Sequence, residues 1–357
     1  MTRCNFGGCR VEEYSSFWRW IVDFLTLYVF GCYELLRQLI SSSYPHARHC
    51  EPAPPSGFGG TNSLILLTGC STGIGYELLK QLLAAELDVV AITHNQDAGL
   101  PRKCKQVVVD FGSTSSTENG CITLSGIVEE LGAKRPVILV HCAAVLHPKT
   151  NANYSASTIV TRTLTINLLM PMLFVKRLSE LLSGIVWIGS STQYIAPNLF
   201  DSQCPMHVAK TPFSAYPLSK LLAFVFAERW SIINSKPVVV IHPGVVATGL
   251  YRDERGLVGK ILRRMMPFFA WTPAFSARRI LQLVSYGGFF HHLEKRFDPS
   301  GAPQGSIPVY WDSVTMGPGL LPLQILDQGQ RNKIAEALSH ITERRMASER
   351  SSASSMD

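Results

Sequence analysis

Charge is scarce in this chain. Asp, Glu, Lys and Arg supply 17% of the 357 residues, against 46% for apolar and aromatic types. That balance excludes a charge-dense disordered chain and favours contact with lipid or a greasy substrate. Dense basic runs are missing as well, and the formal charge of +7 is thinly spread. Nucleic acid is therefore not an expected partner, whereas cofactor phosphates or an anionic membrane surface remain. The nine cysteines are odd in number, scattered, and include no Cys-x-x-Cys pair. Their spacing offers neither a disulfide framework nor a zinc site, which points to a reduced, cytosol-facing catalytic domain without a metal.

Long apolar runs are few, with an exception near the N-terminus. Residues 17–40 are largely apolar, with Asp23 interrupting early and Glu34 and Arg37 near the close. Their length is near the roughly 20 residues of a spanning helix, and the aromatic start Phe17-Trp18-Arg19-Trp20 suits an interfacial belt. The segment is expected to be a membrane anchor, spanning or lying in the interface. The alternative is an amphipathic helix packed on the protein's own core. A cleaved signal peptide is disfavoured, because no small-residue cleavage site follows. Residues 51–60 are rich in Pro and Gly and read as a linker. His46, His49 and Cys50 before it lack a fourth ligand. At this length the chain suits one large domain with appendages. The expected division is anchor and linker over 1–60, a catalytic domain over 61–325, and a charged helix with a disordered tail over 326–357.

The globular part opens on a buried strand, Leu64-Ile65-Leu66-Leu67, that runs into Thr68-Gly69-Cys70-Ser71-Thr72-Gly73-Ile74-Gly75 and then a helix. Glycines there permit a tight turn and let the backbone approach a pyrophosphate at the helix N-terminus. No Lys follows the last glycine, which argues against a nucleotide-hydrolysing loop. The second strand, 88–93, ends in His94 and Asn95 rather than an acid. Without a carboxylate to repel a 2′-phosphate, NADP(H) is favoured over NAD(H); Arg102, Lys103 and Lys105 lie nearby. Only a Pro-containing segment leads to the third strand, 106–110, so a helix there must be rudimentary. Asp110 at its end either accepts from an adenine amino group or caps the next turn. A fourth strand, 136–140, ends at His141-Cys142-Ala143-Ala144.

A long helix over 155–182 carries Asn167 among apolar residues, an expensive placement unless the amide is satisfied. It would bond a kinked backbone, hold a water against a catalytic Lys, or do both. The fifth strand, 184–189, delivers Ser190-Ser191-Thr192 to the carboxyl edge where open α/β sheets bind ligands. Ser190 sits in no Gly-x-Ser-x-Gly elbow, so a hydroxyl that orients a carbonyl is favoured over a nucleophile. Tyr216 and Lys220 follow at helical i, i+4 spacing. A cation one turn from a phenol favours the phenolate, and a phenol so tuned can exchange a proton with a carbonyl oxygen near neutral pH. Residues 256–271 are basic, apolar and aromatic; they would cover a substrate, dip into a membrane, or pack as ordinary core. A helix opens at Thr272-Pro273, and 306–311 reads as a last strand. His291 and His292 suggest no metal, and Asn153-Tyr154-Ser155 is a sequon without a role in cytosol.

Taken in order, the 68–75 loop, Asp110, Asn167, Ser190, Tyr216-x-x-x-Lys220 and Pro243-Gly244-Val245-Val246-Ala247-Thr248 resemble the short-chain dehydrogenase/reductase family over residues 62–312. The resemblance implies a doubly wound α/β Rossmann fold with a parallel sheet, here preceded by the N-terminal anchor helix. It makes Tyr216 the general acid/base and Ser190 the orienter of the substrate oxygen. Lys220 would lower the Tyr216 pKa and hold the nicotinamide ribose, Asn167 would anchor a relay water, and Thr248 would meet the carboxamide. Gly69, Ser71, Thr72, Gly73, Ile74, Gly75, His94, Asp110, Pro243, Gly244 and Val246 would complete the cofactor site. Two departures stand out: His141-Cys142-Ala143-Ala144 replaces Asn-Asn-Ala-Gly, and Ser191 could take the place of Ser190 in register. The long Ser-to-Tyr loop is similar to the 3-keto-steroid reductase and 17-beta-hydroxysteroid dehydrogenase branch, with retinol dehydrogenases second.

The expectation is an NADPH-dependent reductase of a 3-keto-sterol or steroid, at the endoplasmic reticulum membrane or a lipid droplet. Retinal or acyl-dihydroxyacetone phosphate are alternative substrates, and a homodimer is an assembly the family allows. A non-catalytic cofactor-binding scaffold at a lipid surface is the alternative of another class.

Overall fold

The computed structural model describes residues 5–6, 9–10, 17–42, 63–96, 99–101, 104–131, 135–146, 155–199, 204–251, 256–286 and 310–353. The 51–60 linker lies outside the described residues. So do His46, His49, Cys50, Arg102, Lys103, Asn153, Tyr154, His291, His292, 306–309 and 354–357.

Eight strands form one sheet. They are β1 (Leu64–Thr68), β2 (Asp88–Thr93), β3 (Lys105–Val108), β4 (Val137–His141), β5 (Gly184–Ile188), β6 (Val238–His242), β7 (Tyr310–Asp312) and β8 (Gly317–Pro318). Their order is β8-β7-β6-β5-β4-β1-β2-β3, parallel throughout except for β8 against β7. Leu64 of β1 pairs with Asp88 on one side and Val137 on the other, and strand order reverses at this point.

Both faces of the sheet are buried, which is why its strands are continuous Val/Ile/Leu runs rather than alternating ones. Side chains still alternate between the faces. Leu64 and Leu66 of β1 join a core built with α3 (Thr114–Glu130), α4 (Ala156–Leu164), α5 (Met170–Leu178) and α6 (Pro212–Asn234). Ile65 and Leu67 join the opposite core, with α2 (Gly73–Ala84) and α8 (Pro273–Tyr286). Among the described residues no helix joins β2 to β3. Basic, apolar 256–271 supplies α7 (Gly256–Phe269), and the C-terminal charged segment forms α9 (Gln328–Ala353). Leu338 and Ile341 of α9 enter the first core, and Arg331 pairs with Glu228 at 2.6 Å.

The long helix expected over 155–182 is interrupted. A single π turn, Thr165–Leu169, separates α4 from α5 and carries Asn167. The segment Ser157–Leu178 is also the one helical stretch among the described residues long and apolar enough to cross a membrane, yet most of it is buried in the core.

The N-terminal apolar segment is α1 (Phe17–Ser42). It lies against the domain through polar and aromatic contacts. Thr211 donates to the Asp23 carboxylate at 2.6 Å, and Arg37 bridges Asp312 at 2.6 Å and Glu34 at 2.9 Å. Trp20 and Phe24 pack edge-on against Phe213.

Candidate active site

The carboxyl ends of β1, β2, β4, β5 and β6 open into one cleft of about 610 Å³. It lies at the reversal of strand order, where open α/β sheets bind ligands. The turn after β1 is shaped for close approach. Gly69 has φ +69°, and a Cβ there would stand 2.6 Å from the Ala143 amide nitrogen. The N-cap of α2, Thr72, makes no side-chain cap bond, so the first-turn amides are not met by its hydroxyl. Ser71, Thr72, Gly73, Ile74 and Gly75 all line the cleft. A glycine cradle ending in a helix N-terminus fits the pyrophosphate of a dinucleotide. Further along, His94 and Asp110 line the cleft at the ends of β2 and β3. The Asp110 carboxylate accepts from the Gly112 amide at 2.7 Å and so also closes its own turn.

His141 occupies the position where the family pattern has Asn. The Thr68 hydroxyl accepts from the amides of Cys142 (3.1 Å) and Ala143 (3.2 Å), so its hydrogen goes to His141 Nδ1 at 2.9 Å. Thr68 and His141 thus tie β1 to β4 at the cleft floor. Burial, with the Lys220 cation nearby, drops the His141 pKa to about 3 and keeps the ring neutral.

Ser190 follows β5 by two residues, and its hydroxyl accepts from the Thr192 amide (3.2 Å) and the Thr192 hydroxyl (3.0 Å). Its own hydrogen is left to donate. Ser191 also lines the cleft but is buried, and its amide donates to His242 Nδ1 at 3.1 Å.

Tyr216 and Lys220 ride on α6, which starts at a capping box between Thr211 and Ser214 with Pro212 at its first position. That start places both side chains in the cleft wall. Lys220 Nζ stands 5.5 Å from the Tyr216 ring centre and donates to the Ile188 carbonyl at 2.9 Å.

Asn167 does not line the cleft. Its amide pairs with both backbone groups of Val145 at 2.8 Å and donates to Ser219 at 3.2 Å. The π turn presents it to that loop, where it braces the wall beside Tyr216. Pro243, Gly244, Val246 and Thr248, after β6, complete the cleft.

Burial pushes the Lys220 ammonium down to about 8. A rate that needs this cation is expected to fall as pH rises through about 8. The folded-state value lies below the unfolded value of 10.5, so the unfolded chain binds more protons between the two and stability rises across that window. A pH–rate profile and denaturant titrations on either side of about 8 check both signs.

Part of the site escaped the sequence reading. Leu27, Tyr28, Phe30, Glu34 and Leu35 of α1 line the cleft, as do Arg162, His242 and Met266. A signal for the α1 residues was present: Asp23, Glu34, Arg37 and Gln38 are spaced to share one helix face.

The sheet order and the glycine turn are those of a dinucleotide-binding Rossmann fold, and the Ser–Tyr–Lys cleft resembles that of the short-chain dehydrogenases/reductases. A sequence model of the NAD dependent epimerase/dehydratase family matches residues 65–266, and the chain belongs to that family. A curated relative, the short chain dehydrogenase/reductase AacuD of Aspergillus aculeatus, is 25% identical over 209 residues. The match covers 54% of this chain and 66% of the relative, so the chain spans just under two thirds of that protein. Among solved structures, Thermoplasma acidophilum aldohexose dehydrogenase aligns over 73% of this chain and 98% of its own, with TM-score 0.50 and 16% identity. A Saccharomyces cerevisiae short-chain dehydrogenase/reductase aligns over 76% of this chain and 98% of its own, with TM-score 0.50 and 18% identity. These two likenesses establish the fold.

Proposed function

We propose that the protein is an NADP(H)-dependent oxidoreductase that interconverts a ketone and a secondary alcohol on a lipophilic substrate. A 3-keto-sterol or steroid is the first choice, ahead of retinal and acyl-dihydroxyacetone phosphate. The observation that carries this reading is one cleft holding Ser190, Tyr216 and Lys220 together, walled by Leu27, Phe30, Leu35, Leu146 and Met266.

When bound, the nicotinamide cofactor supplies or accepts the hydride. The chain's own residues handle orientation and the proton. Ser190, with Thr192 occupying its lone pairs, donates to the substrate oxygen and fixes it. Tyr216 gives its phenolic proton to that oxygen in reduction and takes it back in oxidation. Lys220, held on the Ile188 carbonyl, favours the phenolate from one helical turn away. The absence of an acid at His94 supports NADPH over NADH, since nothing there repels a 2′-phosphate.

The test is oxidation of NADPH, and separately of NADH, by detergent-solubilised protein against 3-keto-sterols, 17-keto-steroids, retinal and acyl-dihydroxyacetone phosphate. Turnover of one lipid with NADPH preferred is the expected result. Turnover only of small polar ketones would overturn the substrate class, and a preference for NADH would overturn the cofactor assignment.

A further inference from the structure

An ordinary surface helix turns its apolar stripe to the core and a polar face to water, whereas α1 is apolar on its outer side as well. Here the side that faces the domain mixes buried polar groups, Glu34 (5% exposed) and Gln38 (fully buried), with Leu27 and with Phe24 on Phe213. A second apolar set faces out. Trp18 (72% exposed), Val22 (55%), Leu25 (52%), Val29 (65%), Tyr33 (58%) and Leu36 (58%) follow each other at three- and four-residue steps, which makes one continuous stripe. At 1.5 Å per residue the stripe is roughly 27 Å long.

A second exposed apolar surface flanks the same opening. Ile261, Met265, Phe268 and Phe269 of α7 are exposed, while Met266 of that helix lines the cleft together with Leu27 and Gly31 of α1. The two helices therefore border one mouth.

Charge selects the occupant. Both acids of α1 are turned inward, Asp23 onto Thr211 and Glu34 onto Arg37. Arg19 is the charged side chain among the exposed positions of α1, and it pairs with Asp23 at 3.2 Å. On α7, Lys260 and Arg264 are exposed, and no acid occurs from Gly256 to Phe269. An apolar stripe without an outward acid, beside the exposed Lys260 and Arg264 of α7, matches the surface of an anionic bilayer.

Spanning is a different matter. To cross a bilayer, α1 would have to strip Glu34, Arg37 and Gln38 from their partners on the domain and carry them into hydrocarbon.

We propose that α1 is an in-plane membrane element: its outer stripe, with the exposed tip of α7, beds into an anionic lipid surface while its inner side stays clamped to the catalytic domain. The cleft mouth then opens toward the lipid. The proposal rests on surface chemistry and not on the reaction proposed above.

The experiment is flotation of the full-length chain with phosphatidylcholine vesicles, with and without phosphatidylserine. Flotation is expected, stronger with phosphatidylserine, and alkaline carbonate is expected to release the protein. Val29→Asp and Leu36→Asp, both exposed and outside the cleft lining, are each expected to lower partitioning roughly tenfold or more at an unchanged melting temperature. Four results would overturn the proposal. These are wild-type protein that stays off both vesicle types, Val29→Asp that floats as well as wild type, and carbonate-resistant pelleting, which means a spanning helix. The fourth is a lipid-free dimer dispersed by Val29→Asp, which assigns the stripe to a second copy. None of these readouts involves turnover, so failure of the substrate panel and failure here are separate events.

Discussion

Tyr216→Phe is expected to lower kcat by about 10²- to 10⁴-fold, the range that positioned acid–base groups contribute, with little change in cofactor affinity. The substitution removes one hydroxyl and leaves the ring. The ring is buried in the cleft wall on a helix whose start is fixed by the Thr211–Ser214 capping box, so packing and placement persist. Lys220 stays on the Ile188 carbonyl and Ser190 stays beneath Thr192. What disappears is the proton that must move as the carbon changes oxidation state. Single-turnover measurement in each direction separates this loss from slow product release. Cofactor binding measured by fluorescence separates it from a damaged site. If Tyr216→Phe binds cofactor and turns over as wild type does, Tyr216 is not the acid/base. A chain that binds cofactor and shows no Tyr216-dependent reaction on any lipid is the scaffold alternative.

Much of the sheet was legible because strands buried on both faces are written as unbroken aliphatic runs. The runs at 64–68, 137–141, 184–188 and 238–242 are of this kind. The glycine turn was legible for a similar reason, since a backbone that must pass close to Ala143 leaves few residue types to choose from at position 69. Tyr216 and Lys220 needed only helical spacing. Less could be read where the physics depends on distant partners. The π turn at Thr165–Leu169 lets the Asn167 amide reach Val145; Asn167 and Pro171 hint locally at a break, but Val145, the partner, is distant in sequence. The bond between Thr68 and His141 joins positions far apart in the chain, so the departure from the family pattern read only as a departure. The α1 segment was the hardest. Hydropathy records that it is greasy, but which side faces the protein is decided by Thr211, His242, Val245 and Asp312. Its polar residues read as interruptions of a membrane segment, and in the fold they are its attachments.

Those attachments carry the second large expected effect. Glu34→Ala is expected to destabilise the protein by about 3 kcal/mol, because it leaves buried partners without their carboxylate. Burial by itself would raise the Glu34 pKa, but His242 and Arg37 beside it outweigh burial and hold it at about 2, below the usual 4.5. A depressed carboxyl stabilises the fold fully above about 4.5 and loses that contribution as pH falls toward about 2. The difference between wild type and Glu34→Ala should therefore be constant near neutrality and narrow on acidification below about 4.5.

The effect is also expected to reach the cleft. The Ser191 amide donates to His242 Nδ1, so the ring hydrogen belongs on Nε2, which stands 3.5 Å from the Glu34 carboxylate. Four residues on, Gln38 pairs through its amide with both backbone groups of Val245, at 3.0 and 2.7 Å. Gly244 between these contacts has φ +85°, and a Cβ there would meet Trp271 at 2.6 Å and Gln38 at 2.7 Å. α1 thus fixes the 242–245 turn on one side and, through His242, the Ser190–Ser191 turn on the other. Losing Glu34 should raise KM and lower kcat together, whereas Glu34→Gln, which keeps a carbonyl oxygen facing Nε2, should recover most of the rate. Chemical denaturation of the two variants across pH, with kcat and KM at neutrality, distinguishes this from a helix that merely shields the cleft. If Glu34→Ala melts with wild type at every pH, the clamp is not what holds α1. If it melts early but keeps wild-type kinetics, the helix is held by the clamp and the serine turn is not.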